Sequence, residues 1–526
     1  MIHEPEIAVI GASLGGVLAA WRAAQAGRSV LLAAEHAWIG GQMSAQAVPP
    51  DEHPLIEHGG ASTSYRRFRD DIRRHYRGLP GFIDHSAMTP GLTNPGDGWV
   101  SRLCFEPVLA ARWFEMRLRD AGPNLKLLRL CAPFAAERDG PRIERVLLRG
   151  HDGRVHTVRA QVFIDATDTG ELLRLAQLPY RVGKEARAEF DEPDAPTVAD
   201  RLDQQPVTHV MALRRHAAPG PVATEPPSYA AWRTHRLPHH GHLLFSTHLP
   251  GRGRGRGESA SLPFEVSGAS DRLDWWRYRR IVSRAQWDDG RNGSDGSAGR
   301  TDVTLVNWAQ NDYALHPLLD GPVKSTAEVS AAARELSLCF LHWLHTEAGL
   351  VQWQPAADVL GTPDGLAQQT YVRESRRIVA HTTLSQTDMQ RRPEPGAVSP
   401  DAVGIGWYNL DIHPTCVSGH GVNAAVEPFV LPLGAFVPLN ADNLLPGCKN
   451  IGVTHLANAC TRVHPVEWLV GEVAGLIAAT LVERGLSARA LPSDLAATAA
   501  LRAMLRGAGI PLAWSADLLA RRPASH

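Results

Sequence analysis

Apolar and polar positions near the N-terminus follow the order of a strand, a tight turn, a helix and a second strand. The first apolar run, Ile7–Ile10, leads into the glycine turn Gly11-Ala12-Ser13-Leu14-Gly15-Gly16, and the second, Val30–Ala34, ends on Glu35. Glycines permit the tight turn, amides at a helix start bind a pyrophosphate, and an acid after the second strand binds a ribose hydroxyl. The pattern predicts a βαβ unit that holds a dinucleotide, although Ser13 stands where a glycine is usual.

The rest of the pattern predicts helices and strands towards both ends of the chain and less regular structure between them. Periodicity weakens between residues 180 and 360, which indicates an inserted or substrate-facing region. Helices are expected over Ser64–Tyr76, Pro107–Ala121, a segment with Arg373, Glu374, Arg376 and Arg377, Val466–Val482 and Asp494–Gly507. Strands are expected over Leu125–Leu130, Val162–Ile164, Gly404–His413 and Asn450–Thr454, with a hairpin that joins Ile143–Arg149 to Arg154–Arg159.

Composition narrows the class of protein. The chain has 526 residues, 44% of them hydrophobic and 21% charged, with a formal net charge of -1. It is long enough for two packed domains and lacks the basic excess of a broad nucleic-acid surface. The alternating Gly–Arg tract at 251–257 is short, so we expect a solvated loop and no nucleic-acid partner. We also expect no membrane span, no signal peptide and a cytoplasmic location.

Other cofactor signals are weak. The six cysteines are scattered without a Cys-x-x-Cys pair, and the histidines have no zinc-like spacing, so we expect reduced cysteines and no metal site. The glycine pairs Gly404-Ile405-Gly406 and Gly419-His420-Gly421 lack a strand–turn–helix context. A separate NAD(P)H domain is therefore not predicted.

Several blocks of sequence resemble one family. They are VIGASLGG, IGGQMSAQAVPPDEH, LCFEP, FIDATDTGELL, YVRESRRIV, YNLDIHP and NIGVTHLANACTRVHPVEWLVGEVAG. Together they resemble bacterial FAD-dependent oxidoreductases of the glutathione-reductase-like superfamily. The resemblance implies an α/β fold with a discontinuous Rossmann-like FAD-binding domain at 1–180 and 435–490. It also implies an inserted α+β substrate domain at 181–434 and a helical tail at 491–526.

The same resemblance implies which residues hold FAD. The glycine turn would surround the pyrophosphate, Glu35 would bind the adenosine ribose, and Val463 and Glu467 would approach the pyrimidine end of the flavin. The full implied set is Gly11, Ser13, Leu14, Gly15, Gly16, Glu35, Gly40, Gly41, Gln42, Ala166, Thr167, Gly170, Val463 and Glu467. The chain departs from the family pattern at Thr454-His455, where relatives tend to have Gly-Arg, and at Thr169, where they tend to have glycine.

Candidate catalytic residues cluster in two segments. Asp411 and His413 are two apart and face the same side if the segment is a strand, so the carboxylate could orient the histidine as a general base. The alternative is a structural hydrogen bond at a domain junction. Arg373 and Arg376, spaced as on one helix face, could clamp a substrate carboxylate, or they could pair with nearby acids such as Glu374.

Two more histidines, His455 and His464, lie in the segment expected to face the flavin, where they could contact substrate or link covalently to the cofactor. The favoured interpretation of the whole is an oxidase or dehydrogenase that passes a hydride from a small organic substrate to flavin N5. The alternatives are an NAD(P)H-using flavin monooxygenase and a catalytically silent flavin-binding protein. The substrate and the electron acceptor are left open.

Overall fold

The computed structural model of the chain describes residues 1–238, 240–250, 262–263, 274–287 and 300–522. The Gly–Arg tract at 251–257 and most of the Gly/Ser/Asp-rich tract that follows Trp287 lie outside the described residues.

The α-helices occur along the whole described chain. They are α1 (Leu14–Gln25), α2 (Thr63–Arg77), α3 (Pro107–Asp120), α4 (Glu171–Leu175), α5 (Arg187–Phe190), α6 (Tyr229–Arg233), α7 (Trp275–Tyr278), α8 (Thr326–Thr346), α9 (Ala357–Leu360), α10 (Gln386–Met389), α11 (His455–Thr461), α12 (His464–Arg484), α13 (Leu495–Gly507) and α14 (Ala516–Ala520).

Most of the strands are short. They are β1 (Ile2–His3), β2 (Ile7–Ile10), β3 (Val30–Ala34), β4 (Leu125–Arg129), β5 (Cys131–Asp139), β6 (Arg142–Gly150), β7 (Val155–Val158), β8 (Val162–Asp165), β9 (Tyr180–Arg181), β10 (Val207–Thr208), β11 (Met211–Arg215), β12 (His248–Leu249), β13 (Leu262–Pro263), β14 (Arg280–Val282), β15 (Val303–Val306), β16 (Asp312–Tyr313), β17 (Trp353–Pro355), β18 (Arg377–Ile378), β19 (Ala402–Gly406), β20 (Leu410–Ile412), β21 (Val422–Ala424), β22 (Phe429–Pro432) and β23 (Leu444–Pro446).

A parallel five-stranded sheet, in the order β23-β8-β2-β3-β4, forms the centre of the fold. Every residue of β2 and β3 is buried, which is why both strands are continuous apolar runs instead of alternating ones. Because all five strands run the same way, the segments that follow them meet at one edge of the sheet. The glycine turn, Glu35 and the loop after Asp165 are therefore neighbours, and the predicted βαβ unit is confirmed.

The strand that adds to this sheet from the C-terminal part of the chain is β23, not the predicted Asn450–Thr454. That segment is irregular and leads from β23 into α11. Asn450 explains the change, because its side-chain amide donates to the Asp165 carbonyl at 2.8 Å and its side-chain oxygen accepts from the Cys448 N–H at 3.0 Å. Side-chain bonds of this kind replace the strand ladder.

The helix predicted across Arg373–Arg377 is wrong. Residues 373–376 are irregular, and Arg377 begins β18, which pairs with β9. Each arginine of this segment is buried and held by acids or carbonyls from distant parts of the chain, so tertiary contacts override the local helical pattern. By contrast, the predicted helices near α2, α3, α12 and α13 and the β6–β7 hairpin are confirmed within a few residues.

Helix α12 packs closely against α1 through glycines. A Cβ on Gly471 would lie 2.1 Å from the carbonyl oxygen of Gly15, and one on Gly475 would lie 2.3 Å from that of Ala19. Arg22 of α1 pairs with the buried Glu472 of α12 at 2.6 Å. By length and composition α12 is apolar enough to cross a bilayer, but 94% of its most apolar window is buried inside this fold.

Substituting Gly471 by alanine is expected to lower the free energy of unfolding by roughly 1–3 kcal/mol, because the new methyl overlaps the α1 backbone. Chemical denaturation of the purified variant measures this change. Gly507→Ala is the matched control, since a Cβ there meets nothing within 4 Å. Equal midpoints for Gly471→Ala and the control would show that the two helices are not in close contact.

A second core lies outside the parallel sheet. The sheet β14-β15-β11-β17 and the long helix α8 contribute to it, and Trp275, Trp276 and Trp353 pack at its centre. The sequence pattern did not predict α8, which lies within the region of weak periodicity between residues 180 and 360. The division of the chain into domains at 181–434 and 491–526 stays a prediction.

Candidate cofactor and substrate site

The glycine turn is held rigidly at the start of α1. Ser13, which replaces a glycine, is the N-cap residue, and its hydroxyl accepts a hydrogen bond from the Gly16 N–H at 3.2 Å. Gly11 has a φ of 101°, and a Cβ there would lie 2.3 Å from the Ala166 carbonyl oxygen. The departure at Ser13 therefore supplies a helix cap, while Gly11 allows the turn to contact the loop after β8.

That loop is shaped by Asp165. Its carboxylate accepts hydrogen bonds from the Thr167 N–H at 3.1 Å, the Thr167 hydroxyl at 2.7 Å and the Leu172 N–H at 3.0 Å. Burial raises the pKa of Asp165 to about 6, although these hydrogen bonds oppose the rise. Gly170 ends this loop with a φ of 64° and lies against Arg376. It therefore forms the junction between the loop and the Arg373–Arg377 segment.

A small, partly open cavity lies between the glycine turn, the end of β3 and this loop. Its lining residues are Gly11, Ala12, Ser13, Glu35, His36, Trp38, Cys131, Pro133, Ala166, Thr167, Asp168 and Gln369. The cavity thus brings together Glu35, the turn and Thr167, which the sequence predicted to share a nucleotide.

The segment after β3 passes directly beside the turn. Gly41 has a φ of 48°, and a Cβ there would lie 2.8 Å from the Leu14 nitrogen. Gln42 donates through its amide to the Glu467 carboxylate at 2.5 Å and to the Arg462 carbonyl at 3.1 Å. Gly40 joins this packing through its N–H, which donates to the Ala12 carbonyl at 2.9 Å.

A fully buried charged cluster, which we call the lysine cluster, lies behind the turn and consists of Lys449, Asp168, Glu467 and Cys448. The Lys449 ammonium lies 2.7 Å from Asp168 and 3.3 Å from Glu467, and the Cys448 thiol lies 3.1 Å from Glu467. The Glu467 carboxylate accepts from the Gly15 N–H at 3.3 Å. This contact links Glu467 to the glycine turn, and its implied place at the pyrimidine end of the flavin stays a prediction.

Opposite charges within the lysine cluster offset the cost of burying them. Burial acts against the charge of Lys449, but Asp168 and Glu467 more than offset it and hold the lysine pKa well above its usual value. Burial also acts against Asp168, yet the lysine lowers its pKa, whereas burial raises the pKa of Glu467. Asp168, Cys448 and Glu467 have ligand atoms close enough for a metal ion, but Lys449 already supplies the positive charge there.

These residues fit FAD. Of the first amides of α1, which no intrahelical carbonyl can reach, side chains satisfy those of Gly15 and Gly16. Within the described residues, the buried side-chain oxygens of Gln42 and Gln46 have no hydrogen-bond partner, whereas the Gln46 side chain also contacts Asp168. Buried amide oxygens without partners on the segment beyond Gly41 are suited to the polar edge of a flavin. Val463, the N-cap of α12, is buried at the same junction.

His413 lies between two carboxylates. Its Nε2 is 3.6 Å from Asp411, as the spacing predicted, but its Nδ1 makes the shorter contact, 2.6 Å from Asp312. Asp312 is 101 residues away in sequence and was missed. Burial would raise the pKa of Asp312, but the charges of Arg373 and His413 hold it well below its usual range. Asp312 is therefore the ionised group that orients the imidazole.

Arg373 and Arg376 do not share a face. Arg373 donates to the Thr208 hydroxyl at 2.9 Å and to Asp312 at 3.0 Å. Arg376 donates to Asp320 at 2.8 Å and to Glu171 at 3.1 Å. The predicted carboxylate clamp is corrected, because both guanidiniums are committed to buried or half-buried acids. Arg373 instead positions Asp312, and through it His413.

The two other histidines have structural partners. His455 Nδ1 lies 2.6 Å from the buried carboxylate of Glu374. His464 Nδ1 accepts from the Asp51 N–H at 3.1 Å, and its Nε2 contacts the Val48 carbonyl at 3.1 Å. Burial lowers the pKa of His464 to about 3, so this ring is neutral and ties the segment after Gln46 to the start of α12.

A group of polar side chains, which we call the arginine–tyrosine pocket, adjoins His413 through Asp411. It consists of Asp51, Tyr278, Arg279, Tyr371, Tyr408, Asp411 and Arg462. Arg462 donates to the Tyr371 hydroxyl at 2.7 Å and to the Asp411 carbonyl at 3.0 Å, and Arg279 lies 3.8 Å from Asp51. Arg279 and Arg462 were missed by sequence reasoning. The one sequence signal for Arg462 as a site residue was its position just before the start of α12.

Comparisons with known proteins agree with this geometry. The sequence model of a family described as FAD dependent oxidoreductase matches residues 6–505. Digeranylgeranylglycerophospholipid reductase 2 of Methanopyrus kandleri is 32% identical over 164 residues, which are 31% of this chain and 37% of that protein. The chain thus spans well under half of this curated relative.

Solved structures show lower sequence identity to this chain. A geranylgeranyl bacteriochlorophyll reductase-like protein from Thermoplasma acidophilum is 9% identical, with a TM-score of 0.36, and the match covers 96% of this chain and 84% of that one. CabE, an aromatic hydroxylase from angucycline biosynthesis, is 12% identical, with a TM-score of 0.30, and the match covers 72% and 54%. Neither structure identifies a substrate for this chain.

Proposed function

Because the chain belongs to the FAD dependent oxidoreductase family and uses FAD, we propose that it oxidises a small organic substrate by hydride transfer to flavin N5. FAD supplies the two-electron acceptor in such a reaction. The observation that carries the proposal is the histidine held between Asp312 and Asp411 beside the arginine–tyrosine pocket.

The cavity residues would hold the adenosine half of FAD. Glu35 at the end of β3 is placed to accept hydrogen bonds from a ribose, and Gly11, Ala12 and Ser13 of the glycine turn line the same cavity, where the positive end of α1 favours a pyrophosphate. Lys449 adds a fixed positive charge behind the turn. The segment from Gly40 to Gln46 then leads away from the turn towards His413 and the arginine–tyrosine pocket.

His413 would accept the substrate proton. With Asp312 bonded to Nδ1, the proton of the neutral ring sits on Nδ1 and the lone pair on Nε2. Nε2 is the ring atom nearer Asp411. The His413 side chain is 11% exposed, so the ring can be reached from the pocket. Once Nε2 takes a proton, the carboxylates on both sides stabilise the imidazolium.

The start of α12 would stabilise negative charge next to the pocket. Val463 is its N-cap, and the positive end of this 21-residue helix faces the junction where the buried side-chain oxygens of Gln42 and Gln46 lie. His464 is neutral and holds Asp51 at the same place. These groups favour a cofactor that gains negative charge when it accepts electrons.

The test mixes the purified yellow protein anaerobically with the members of a metabolite library. The visible absorbance of the flavin is followed, because reduction bleaches it. We expect at least one small metabolite to bleach the flavin without NAD(P)H. Bleaching by NADPH alone would instead support a monooxygenase. A flavin that no compound reduces would contradict the proposal and favour a silent flavin-binding protein.

A further inference from the structure

The arginine–tyrosine pocket contains an arginine whose binding edge is not used. Arg279 follows α7, and its Nη1 donates to the Asn307 carbonyl at 2.9 Å, which fixes the guanidinium plane. Its Nε has no partner among the described residues, and its Nη2 comes no closer than 3.8 Å to a carboxylate oxygen of Asp51. Nε and Nη2 form the edge with which arginine binds a carboxylate through two parallel hydrogen bonds.

We propose that the substrate is a small organic carboxylate and that the Nε–Nη2 edge of Arg279 binds its carboxylate group; this inference rests on the proposed function. The side chain of Arg279 is 12% exposed and its Nε is buried, so the edge is desolvated on most sides. A desolvated guanidinium that lacks two hydrogen bonds gains more from an anion than a solvated one does.

The surroundings favour one added negative charge. Asp312 is committed to Arg373 and His413, and Asp411 is shared between Arg462 and His413. Only Asp51 remains to balance Arg279, and it lies beyond hydrogen-bond distance. Burial also raises the pKa of Asp51, which weakens it as a counter-ion. A substrate carboxylate would complete the charge balance.

The geometry also places the carboxylate relative to the base. Arg462 links the two halves of the pocket, because it contacts Tyr371 on one side and Asp411 on the other. The Asp411 carboxylate in turn lies 3.6 Å from His413 Nε2. A carboxylate on Arg279 therefore leaves the rest of a small molecule within the pocket that His413 borders.

The experiment titrates the FAD-loaded protein with acetate and benzoate, and with the neutral acetamide and benzamide, while the flavin absorbance spectrum is recorded. We expect at least one carboxylate to perturb the spectrum with saturation and its neutral amide to do so at least tenfold more weakly. In Arg279→Met the dissociation constant should rise at least tenfold, and Arg279→Lys should restore part of the affinity. Arg284→Met, an exposed position five residues away, should leave it unchanged.

Several outcomes overturn the proposal. Equal responses to carboxylates and amides would do so, as would unchanged affinity in Arg279→Met or binding of inorganic phosphate alone. If Arg279→Met fails to fold, the comparison of carboxylate with amide in the unaltered protein decides. Carboxylate binding through Arg279 in a protein whose flavin no metabolite reduces would support this inference and contradict the proposed function. Reduction of the flavin by neutral compounds only would support the proposed function and contradict this inference.

Discussion

Substitution of Lys449 by methionine is expected to destabilise the protein by about 3–5 kcal/mol, because it leaves buried carboxylates without their cation. Lys449 is completely buried, as is Glu467, and among the described residues its ammonium is the only cation that pairs with both Asp168 and Glu467. The loss should also release FAD, since Glu467 contacts the Gly15 N–H of the glycine turn. Denaturant unfolding and the flavin-to-protein absorbance ratio measure the two effects.

Two further variants test whether the lost stability is electrostatic and specific to Lys449. Lys449→Met combined with Asp168→Asn should recover part of the lost stability, because one of the unpaired charges is removed with the lysine. Lys126→Met, at an exposed position on β4, should change the unfolding midpoint little. A Lys449→Met protein as stable as the unaltered chain would show that the lysine cluster is not an electrostatic unit.

Substitution of His413 by alanine is expected to slow substrate-dependent flavin reduction at least about tenfold, a modest loss for a general base. Asp312→Asn should also slow reduction, because the ring loses the carboxylate that fixes its tautomer. FAD content should stay the same in both, since His413 does not line the cavity beside the glycine turn. Anaerobic stopped-flow absorbance measures the rate.

The exposed His420, seven residues further along the chain, provides the matched control. His420→Ala should reduce its flavin at the unaltered rate. If His413→Ala behaves in the same way, the bonds to Asp312 and Asp411 have only the structural role that the sequence left open as the alternative.

The parts of the fold that sequence predicted are those encoded locally. The βαβ unit depends on apolar runs, a turn and an acid that are close in sequence, and its two strands pair in parallel. The Arg373–Arg377 segment was wrong for the opposite reason. Its helical spacing is local, but its conformation is set by Asp312, Asp320 and Glu185, which come from other parts of the chain.

The site shows the same division. Asp411 and His413 could be paired from a spacing of two residues, whereas the closer partner, Asp312, could not. Arg279 is likewise joined to Arg462 only by folding. Lys449 lies beside a predicted strand, but no charge pattern in the sequence indicates that it is buried. Residues that act through long-range contacts leave no periodic signal, so the substrate half of the site required the structure.

The most direct test of the account is titration of the purified chain and of Gly11→Ala with FAD, followed by quenching of flavin fluorescence. The account predicts one tightly bound FAD per unaltered chain. It predicts at least tenfold weaker binding in Gly11→Ala, where a Cβ would lie 2.3 Å from the Ala166 carbonyl oxygen beside the cavity. A chain that binds no FAD, or a Gly11→Ala variant that folds and binds it equally well, would contradict the claim that this turn and cavity hold the cofactor.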